Sequence, residues 1–269
     1  MPEPAGQAHF PIVVKPDGAS GSTGVVVVEN QIELDLALQK ISGEVVIQQY
    51  LEGPSFSIEI IGCPGNYVTL QVTDLYMDRE YDCSGVSAPT LLDSGKTIEL
   101  HDQVLAIAEA ISLHGIMDLE VILHDGKLKI LEIDARFPSQ TPITVYHSTG
   151  MNMVNMLVRL FTEGFVEKRP GTCVYSRIDH VRVESGKVEV CGEHIMANKG
   201  ALRLAPDLFG ADETITTYQP GKDSWVATFI FRGDSREEVE LRRKSCLQKI
   251  RWIQPIVEQS DDETIPQGH

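Results

Sequence analysis

The sequence predicts an α+β protein, built as two α+β lobes followed by a mainly antiparallel β module with a C-terminal helix. Three observations carry this expectation. Apolar runs of strand length recur, among them residues 10–15 (FPIVVK), 25–29 (VVVVE) and 44–51 (EVVIQQYL), with turn chemistry between them. Helical patterns are confined to a few separate intervals, near residues 34–41, 101–113, 151–161 and 235–252. Asp125-Gly126 lies between two apolar runs, and an Asp-Gly pair in that setting is the strongest short signal for an antiparallel hairpin.

Composition narrows function before any motif is considered. The 269 residues carry 39 acidic and 23 basic side chains, a formal net charge of −16, which argues against a nucleic-acid or anionic-membrane surface. An anionic ligand must therefore be met by local lysines and arginines. No run approaches the roughly 18 apolar residues of a membrane span. Met1-Pro2-Glu3-Pro4 lacks the basic-then-apolar order of a secretion signal, so a cytoplasmic protein without nucleic-acid or membrane partners is expected. Five cysteines, scattered and odd in number, read as reduced structural thiols.

The small lobe is assigned to residues 1–52, with a ragged start over 1–9. Its first strand ends in Lys15, and residues 16–24 (PDGASGSTG) lead to the second strand. Glycines there let the backbone approach an oxyanion, with Ser20, Gly21 and Ser22 at the centre. The connection reads either as a phosphate cradle with Lys15 at its base or as an ordinary mobile loop. It is not a Walker A loop, because a strand follows and no Gly-Lys-Ser/Thr is present. Asn30 precedes a helix with Leu34, Leu38 and Ile41 on one side and Gly43 behind it. Residues 48–54 then form a hinge to the larger lobe, and a cleft between lobes is a usual place for a cofactor.

The large lobe is assigned to residues 53–168. Strands are expected at 56–61 and 67–76, a long polar loop at 78–89, and a core-packing helix at 101–113 closed by Gly115. Within the loop, Tyr81 and Asp82 are suited to a substrate ammonium or are plain surface residues. Residues 116–123 (IMDLEVIL) and 128 onward are the arms of the hairpin. If residues 131–138 (LEIDARFP) are a strand, Glu132, Asp134 and Arg136 share one face while Leu131, Ile133 and Ala135 take the other. Two carboxylates followed by an arginine suit a divalent cation with an anion beside it, or else a solvated face with an incidental ion pair.

Glu120 is the candidate third carboxylate. A strict two-residue turn at Asp125-Gly126 pairs His124 with Lys127 and sets Glu120 opposite Leu131, on the wrong face. Shared ligation therefore requires a three-residue loop or a bulge that brings Glu120 opposite Glu132. Asp118, two residues before Glu120, shares its face.

Residues 139–142 are expected as an irregular polar loop, followed by the helix at 151–161. Composition changes near Arg169-Pro170-Gly171. The β-rich module, residues 169–258, has short strands over 172–231 with turns at Ser185-Gly186 and Gly221-Lys222, then a helix opened by a Ser235/Glu238 capping box. Residues 259–269 read as a frayed acidic tail. His147, His180 and His194 are spaced as structural residues, not as metal ligands.

The order of lysine-ended strand, Gly/Ser loop, hinge QQYLEG (48–53) and LEVIL…LEIDAR (119–136) resembles the ATP-grasp superfamily, in which ATP lies between two α+β lobes and a carboxylate is ligated to an amine through an acyl phosphate. The resemblance implies Lys15, Ser20, Gly21 and Ser22 on the phosphates and backbone groups of Gln49, Tyr50 and Leu51 on adenine; Glu59, four residues on from Ser55 and on the same strand face, is the candidate for the ribose. It implies Mg²⁺, with Mn²⁺ as the alternative, on Glu120, Glu132 and Asp134. Arg136 and Lys15 take the catalytic role of stabilising the transferring phosphoryl group. Tyr81, Asp82, Asp118, Arg136 and Ser139 are the substrate candidates. The words GIMDLE, EYDC and EIDARFPSQTP are similar to the pyrrolysine-biosynthesis branch, which implies joining 3-methyl-D-ornithine to the side-chain amine of L-lysine. Gln48 and Ser55 stand where many members carry acidic residues. The resemblance also places an α/β domain ahead of the Lys15 strand, so a separate N-terminal α/β domain is an implied partner. Another ATP-grasp amino-acid or carbamoyl-phosphate-type ligase, and a non-catalytic nucleotide-binding remnant, remain as alternatives.

Overall fold

The computed structural model describes residues 9–18, 23–167 and 173–253. The first lobe is a three-stranded antiparallel sheet with strands β1 (Ile12–Pro16), β2 (Val26–Val28) and β3 (Val45–Gln49) in the order β2-β1-β3, packed on α1 (Gln31–Lys40). Asn30 caps α1 by accepting the Glu33 amide at 3.0 Å, which satisfies a first-turn donor, and Glu33 reaches back to the Glu29 amide just ahead of the cap at 2.9 Å. Ile12 and Val14 point inward against Val28, Leu34 and Ala37. Strand alternation therefore turns Lys15 to the opposite face, where its charge acts on Glu132 of the second lobe.

Among the described residues, those that follow build one antiparallel sheet of 11 strands. In chain order its elements are β4 (Ser55–Cys63), β5 (Asn66–Thr69), β6 (Thr73–Met77), β7 (Cys83–Ala88), α2 (Ser94–Ala110), β8 (Gly115–His124), β9 (Lys127–Asp134), α3 (Thr141–Thr149) and α4 (Met153–Glu163). Then come β10 (Tyr175–Glu184), β11 (Lys187–Val190), a 3-10 turn at Glu193–Met196, β12 (Arg203–Pro206), β13 (Glu213–Thr216), β14 (Ser224–Gly233) and α5 (Arg236–Ile253). The spatial order is β12-β13-β14-β10-β7-β6-β4-β8-β9, with β5 beside β4 and β11 beside β10. Pairing of β10 with β7 makes the C-terminal strands a continuation of the large-lobe sheet.

Alternation along β4 sends Phe56, Ile58 and Ile60 to Leu100, Val104 and Ala108 of α2. Each such side chain contributes ~1.5–3 kcal/mol on burial. It also sends Ser55, Ser57 and Glu59 to the other face, where the site lies. At the far end of the sheet, Val239, Cys246 and Ile250 of α5 close over Val181, Phe229 and Phe231. Ser235 accepts the Glu238 amide at 3.2 Å, as the capping box predicts. Among the described residues no helix is long and apolar enough to cross a membrane.

Several expected elements differ. Residues 67–76 are two strands, because Leu70 and Val72 are buried in different clusters and the chain must turn between β5 and β6 to reach both. The expected loop at 78–89 contains β7, whose small residues (CSGVSA) have little strand propensity but fit between β6 and β10. A Cβ at Gly85 would stand 2.6 Å from the Ile178 carbonyl oxygen, so this close approach requires glycine. Helix α2 begins seven residues earlier than the periodicity predicts, capped by Asp93 on the Lys96 amide at 3.0 Å. Helix α3 begins at Thr141, inside the irregular loop expected at 139–142, and runs to Thr149; β9 ends at Asp134, so Arg136 lies beyond the strand.

Candidate functional site

The hairpin of β8 and β9 sets the site. Its turn is the strict two-residue kind: His124 pairs with Lys127, and Asp125 and Gly126 both take positive φ, at 49° and 70°. The register then shifts between Val121, which pairs with Ile130, and Glu120, which pairs with Glu132. Leu131 is the extra residue of a β-bulge. The bulge, not a longer loop, thus moves Glu132 and Asp134 onto the face of Glu120 and Asp118.

Beyond the bulge Asp118 pairs with Asp134, and on the other side of β8 Glu59 pairs with Asp118 and Ser57 with Glu120. Five carboxylates therefore occupy two adjacent cross-strand rows. Burial and the repulsion of Asp118, Glu132 and Asp134 push Glu120 up to about 8. Burial followed by the Asp134 charge raises Asp118 to about 7, and Arg136 opposes the shift. Glu132 is raised by burial and by Asp134, against Lys15 and Arg136. Such a set is short of positive charge. Arg136 supplies part of it through an ion pair of 2.6 Å to Asp134, made from the coil after the strand and not by strand alternation as expected.

A cavity of about 110 Å³ opens above the rows, walled by Asp118, Glu120, Glu132, Asp134, Arg136 and Ser139, with Tyr81, Asp82 and Gln140 farther round. Glu193, from the 3-10 turn, completes the wall and accepts a 2.7 Å hydrogen bond from the Ser139 hydroxyl. Nothing in the sequence near Glu193 distinguishes it. It reaches the site only because the strands of the C-terminal module continue the sheet.

Other candidates stand differently from the sequence expectation. Ser20, Gly21 and Ser22 lie outside the described residues, as do the boundary at 169–171 and the tail at 259–269. The Tyr50 amide donates to the Pro11 carbonyl at 3.3 Å, so of Gln49, Tyr50 and Leu51 this donor is already engaged within the small lobe. The Tyr50 ring meets Tyr81 edge-on at 6.4 Å, and a hydrogen bond to Tyr81 raises the Tyr50 phenol. Glu59, the ribose candidate, is fully buried beside Asp118 and pushed up to about 8, first by desolvation. Asp82 is buried, stands 2.6 Å from His194 Nδ1, and accepts the His194 amide at 3.0 Å. That geometry gives Asp82 a partner within the protein, while Asp82 also lines the cavity. With Asp78, which accepts the Gly192 amide at 2.7 Å, it fastens residues 78–82 to the 3-10 turn.

Comparison with known proteins follows the same geometry. The profile described as ATP-grasp domain matches residues 2–140. The chain is 31% identical over 252 residues to a 3-methyl-D-ornithine--L-lysine ligase of Methanosarcina mazei, covering 90% of this chain and 62% of that protein. Its counterpart in Methanosarcina acetivorans is also 31% identical, over 248 residues, with 62% of its length covered. The chain thus spans less than two thirds of these relatives. Among solved structures, a Campylobacter jejuni biotin carboxylase in complex with a β,γ-ATP ligand matches with a TM-score of 0.70 at 19% identity, covering 89% of this chain and 57% of that one. An L-amino acid ligase from Bacillus licheniformis matches with a TM-score of 0.64 at 20% identity, covering 90% and 63%. These two likenesses bear on the fold alone.

Proposed function

This chain belongs to the ATP-grasp family, and from that premise we propose that it is an ATP-dependent carboxylate–amine ligase that forms an amide through an acyl phosphate. The observation that carries the reading is the bulge-set pairing of Glu120 with Glu132, which gathers acidic oxygens between Lys15 on one side and Arg136 on the other. The donors are hard oxygens held above their ordinary carboxylate range by burial and mutual repulsion, which fits a divalent cation such as Mg²⁺. Glu120, Glu132 and Asp134 would hold it, and when bound it supplies positive charge opposite phosphate oxygens.

The chain's own residues account for the rest. Lys15 and Arg136 flank the acidic rows and stabilise the charge on a phosphoryl group passing from ATP to a substrate carboxylate oxygen, as ADP leaves. Arg136, with a fork of donors, then holds the acyl phosphate while an amine nitrogen attacks its carbonyl carbon. The amide C–N bond forms, phosphate departs and the amine loses a proton. Asp118, buried at 5% exposure in the cavity floor, and Glu193, through Ser139, provide acceptors for substrate ammonium groups. The kinship at 31% identity extends the proposal to 3-methyl-D-ornithine as the carboxylate and L-lysine as the amine, a cytoplasmic step of amino-acid biosynthesis. The division into residues 1–52, 53–168 and 169–258 belongs to the same reading.

The test is direct. The purified chain, alone and with a separately supplied N-terminal α/β domain of a relative, is offered Mg²⁺-ATP, 3-methyl-D-ornithine or D-ornithine, and L-lysine. ADP release and an ornithyl-lysine isopeptide by mass spectrometry are expected. Thermal stabilisation by Mg²⁺-ATP with no ADP release in either arm would reduce the function to nucleotide binding, and a different amide product would overturn the substrate assignment.

A further inference from the structure

His180 and Gln140 form a buried strut that none of the roles above requires. His180 lies in the middle of β10, 4% exposed, and Gln140, 7% exposed, stands at the end of the connection from β9 where the chain enters α3. His180 Nε2 is 3.0 Å from Gln140 Oε1, and its Nδ1 is 2.8 Å from the Thr228 hydroxyl on β14. The Gln140 amide nitrogen donates to the Cys83 carbonyl at 3.4 Å, which orients the amide. Its oxygen therefore faces the ring, His180 carries its proton on Nε2, and Nδ1 accepts from Thr228. Burial lowers the His180 basicity, in keeping with this neutral pairing.

The arrangement has a cost that a purely local role does not explain. Gln140 occupies the N-cap of α3, where a side chain usually accepts an amide of the first turn, yet it makes no such bond. Only its backbone carbonyl serves the helix, accepting the Ile143 and Thr144 amides at 3.1 and 3.4 Å. The side chain is directed instead across the sheet, so one residue ties α3, β7 and β10 together. Arg136 and Ser139 sit on the same short segment, between the end of β9 and this anchor. Fixing Gln140 limits where both can stand above the carboxylate rows.

We propose that His180, acting through Gln140, is a positioning residue for the 135–140 segment and thereby for Arg136 and Ser139 in the ligase site. The inference rests on the proposed function for its catalytic consequence, while its structural consequence stands apart from it. Hydrogen–deuterium exchange and steady-state kinetics on the same proteins separate the two. In His180→Leu, amides of residues 136–144 are expected to exchange at least tenfold faster, with those of α2 and β9 unchanged. The kcat/KM for the amino-acid substrates should fall about tenfold or more while the KM for ATP stays within twofold. His180→Gln, which keeps a donor near the Nε2 position, should recover most of both effects. Gln140→Leu should match His180→Leu, and the double variant should be no worse than either, because the two act as one unit.

Unchanged exchange at 136–144 in both single variants would overturn the proposal, whatever the activity. So would faster exchange with unchanged kcat/KM in a protein that turns over, or losses that simply add. If the starting protein releases no ADP, the ligase reading fails and the strut is judged on exchange alone. If His180→Leu does not fold, Gln140→Leu and His180→Gln decide the same comparison.

Discussion

Glu120 on β8 and Glu132 on β9 stand directly opposite each other because Leu131 bulges out of the ladder between them and the turn. Without that bulge the two-residue turn would set Glu120 against Leu131, and the acidic rows would be split between the two faces of the sheet. Both carboxylates face the same cavity, raised in pKa by burial and by their acidic neighbours.

Neutralising these acids should separate activity from stability. Glu120→Gln, Glu132→Gln and Asp134→Asn are each expected to lower Mg²⁺-dependent ADP release by at least about 100-fold, since each removes an anionic ligand. The midpoint of thermal unfolding near neutral pH should hold in Glu120→Gln, because the amide resembles the protonated carboxyl that a value of about 8 favours there. ADP release assays and thermal melts of the three variants check this.

The same shifts set a dependence on pH. A carboxylate whose folded pKa exceeds its unfolded value binds a proton more tightly in the folded protein, so stability falls as pH rises between the two values. Glu120, raised to about 8, and Asp118, raised to about 7, place that window between about pH 4 and 8. Melts in chelator should therefore show lower midpoints at pH 8 than at pH 6. Millimolar Mg²⁺ should flatten the trend, since a cation favours the ionised forms; an identical slope with and without Mg²⁺ would count against the metal site.

Arg136 is half exposed and linked to the fold mainly through Asp134. Arg136→Ala should leave the melting midpoint within about 2 °C, as expected for a surface ion pair worth ~1 kcal/mol or less. Turnover should nevertheless fall about 100-fold or more, the scale of losing one charge-stabilising donor in a transition state. Arg136→Lys should recover only part, because an ammonium lacks the bidentate fork. Kinetics at saturating ATP distinguish the three proteins.

Asp82 and Glu193 should behave in opposite ways. Asp82→Asn weakens the contacts of the buried Asp82 carboxylate with the exposed His194, so a destabilisation of ~1–3 kcal/mol is expected with little change in the KM of either amino acid. Glu193→Gln leaves the fold nearly intact, since its partner Ser139 is exposed, but should raise the KM of one amino-acid substrate severalfold. Denaturant unfolding and substrate titrations read both.

The local elements of this protein are determined by its sequence. Alternation in residues 10–15, the Asn30 cap, the Asp125-Gly126 turn and the Ser235/Glu238 box are short-range patterns, and each appears where its chemistry places it. The lysine at the end of β1 and the run Glu132, Asp134, Arg136 mark the site for the same reason. What the tertiary structure decided involves residues far apart in the chain. Strand β7 exists because β6 and β10 flank its small residues, and Glu59 is fully buried in the row it shares with Asp118. Glu193, Gln140 and His180 meet the site through a sheet that runs on from the large lobe. Register is the sharpest case. Side chains in a strand alternate with period two, so one extra residue at Leu131 reverses the facing of all that follows, and only the pairing of β9 with β8 shows on which face the carboxylates meet.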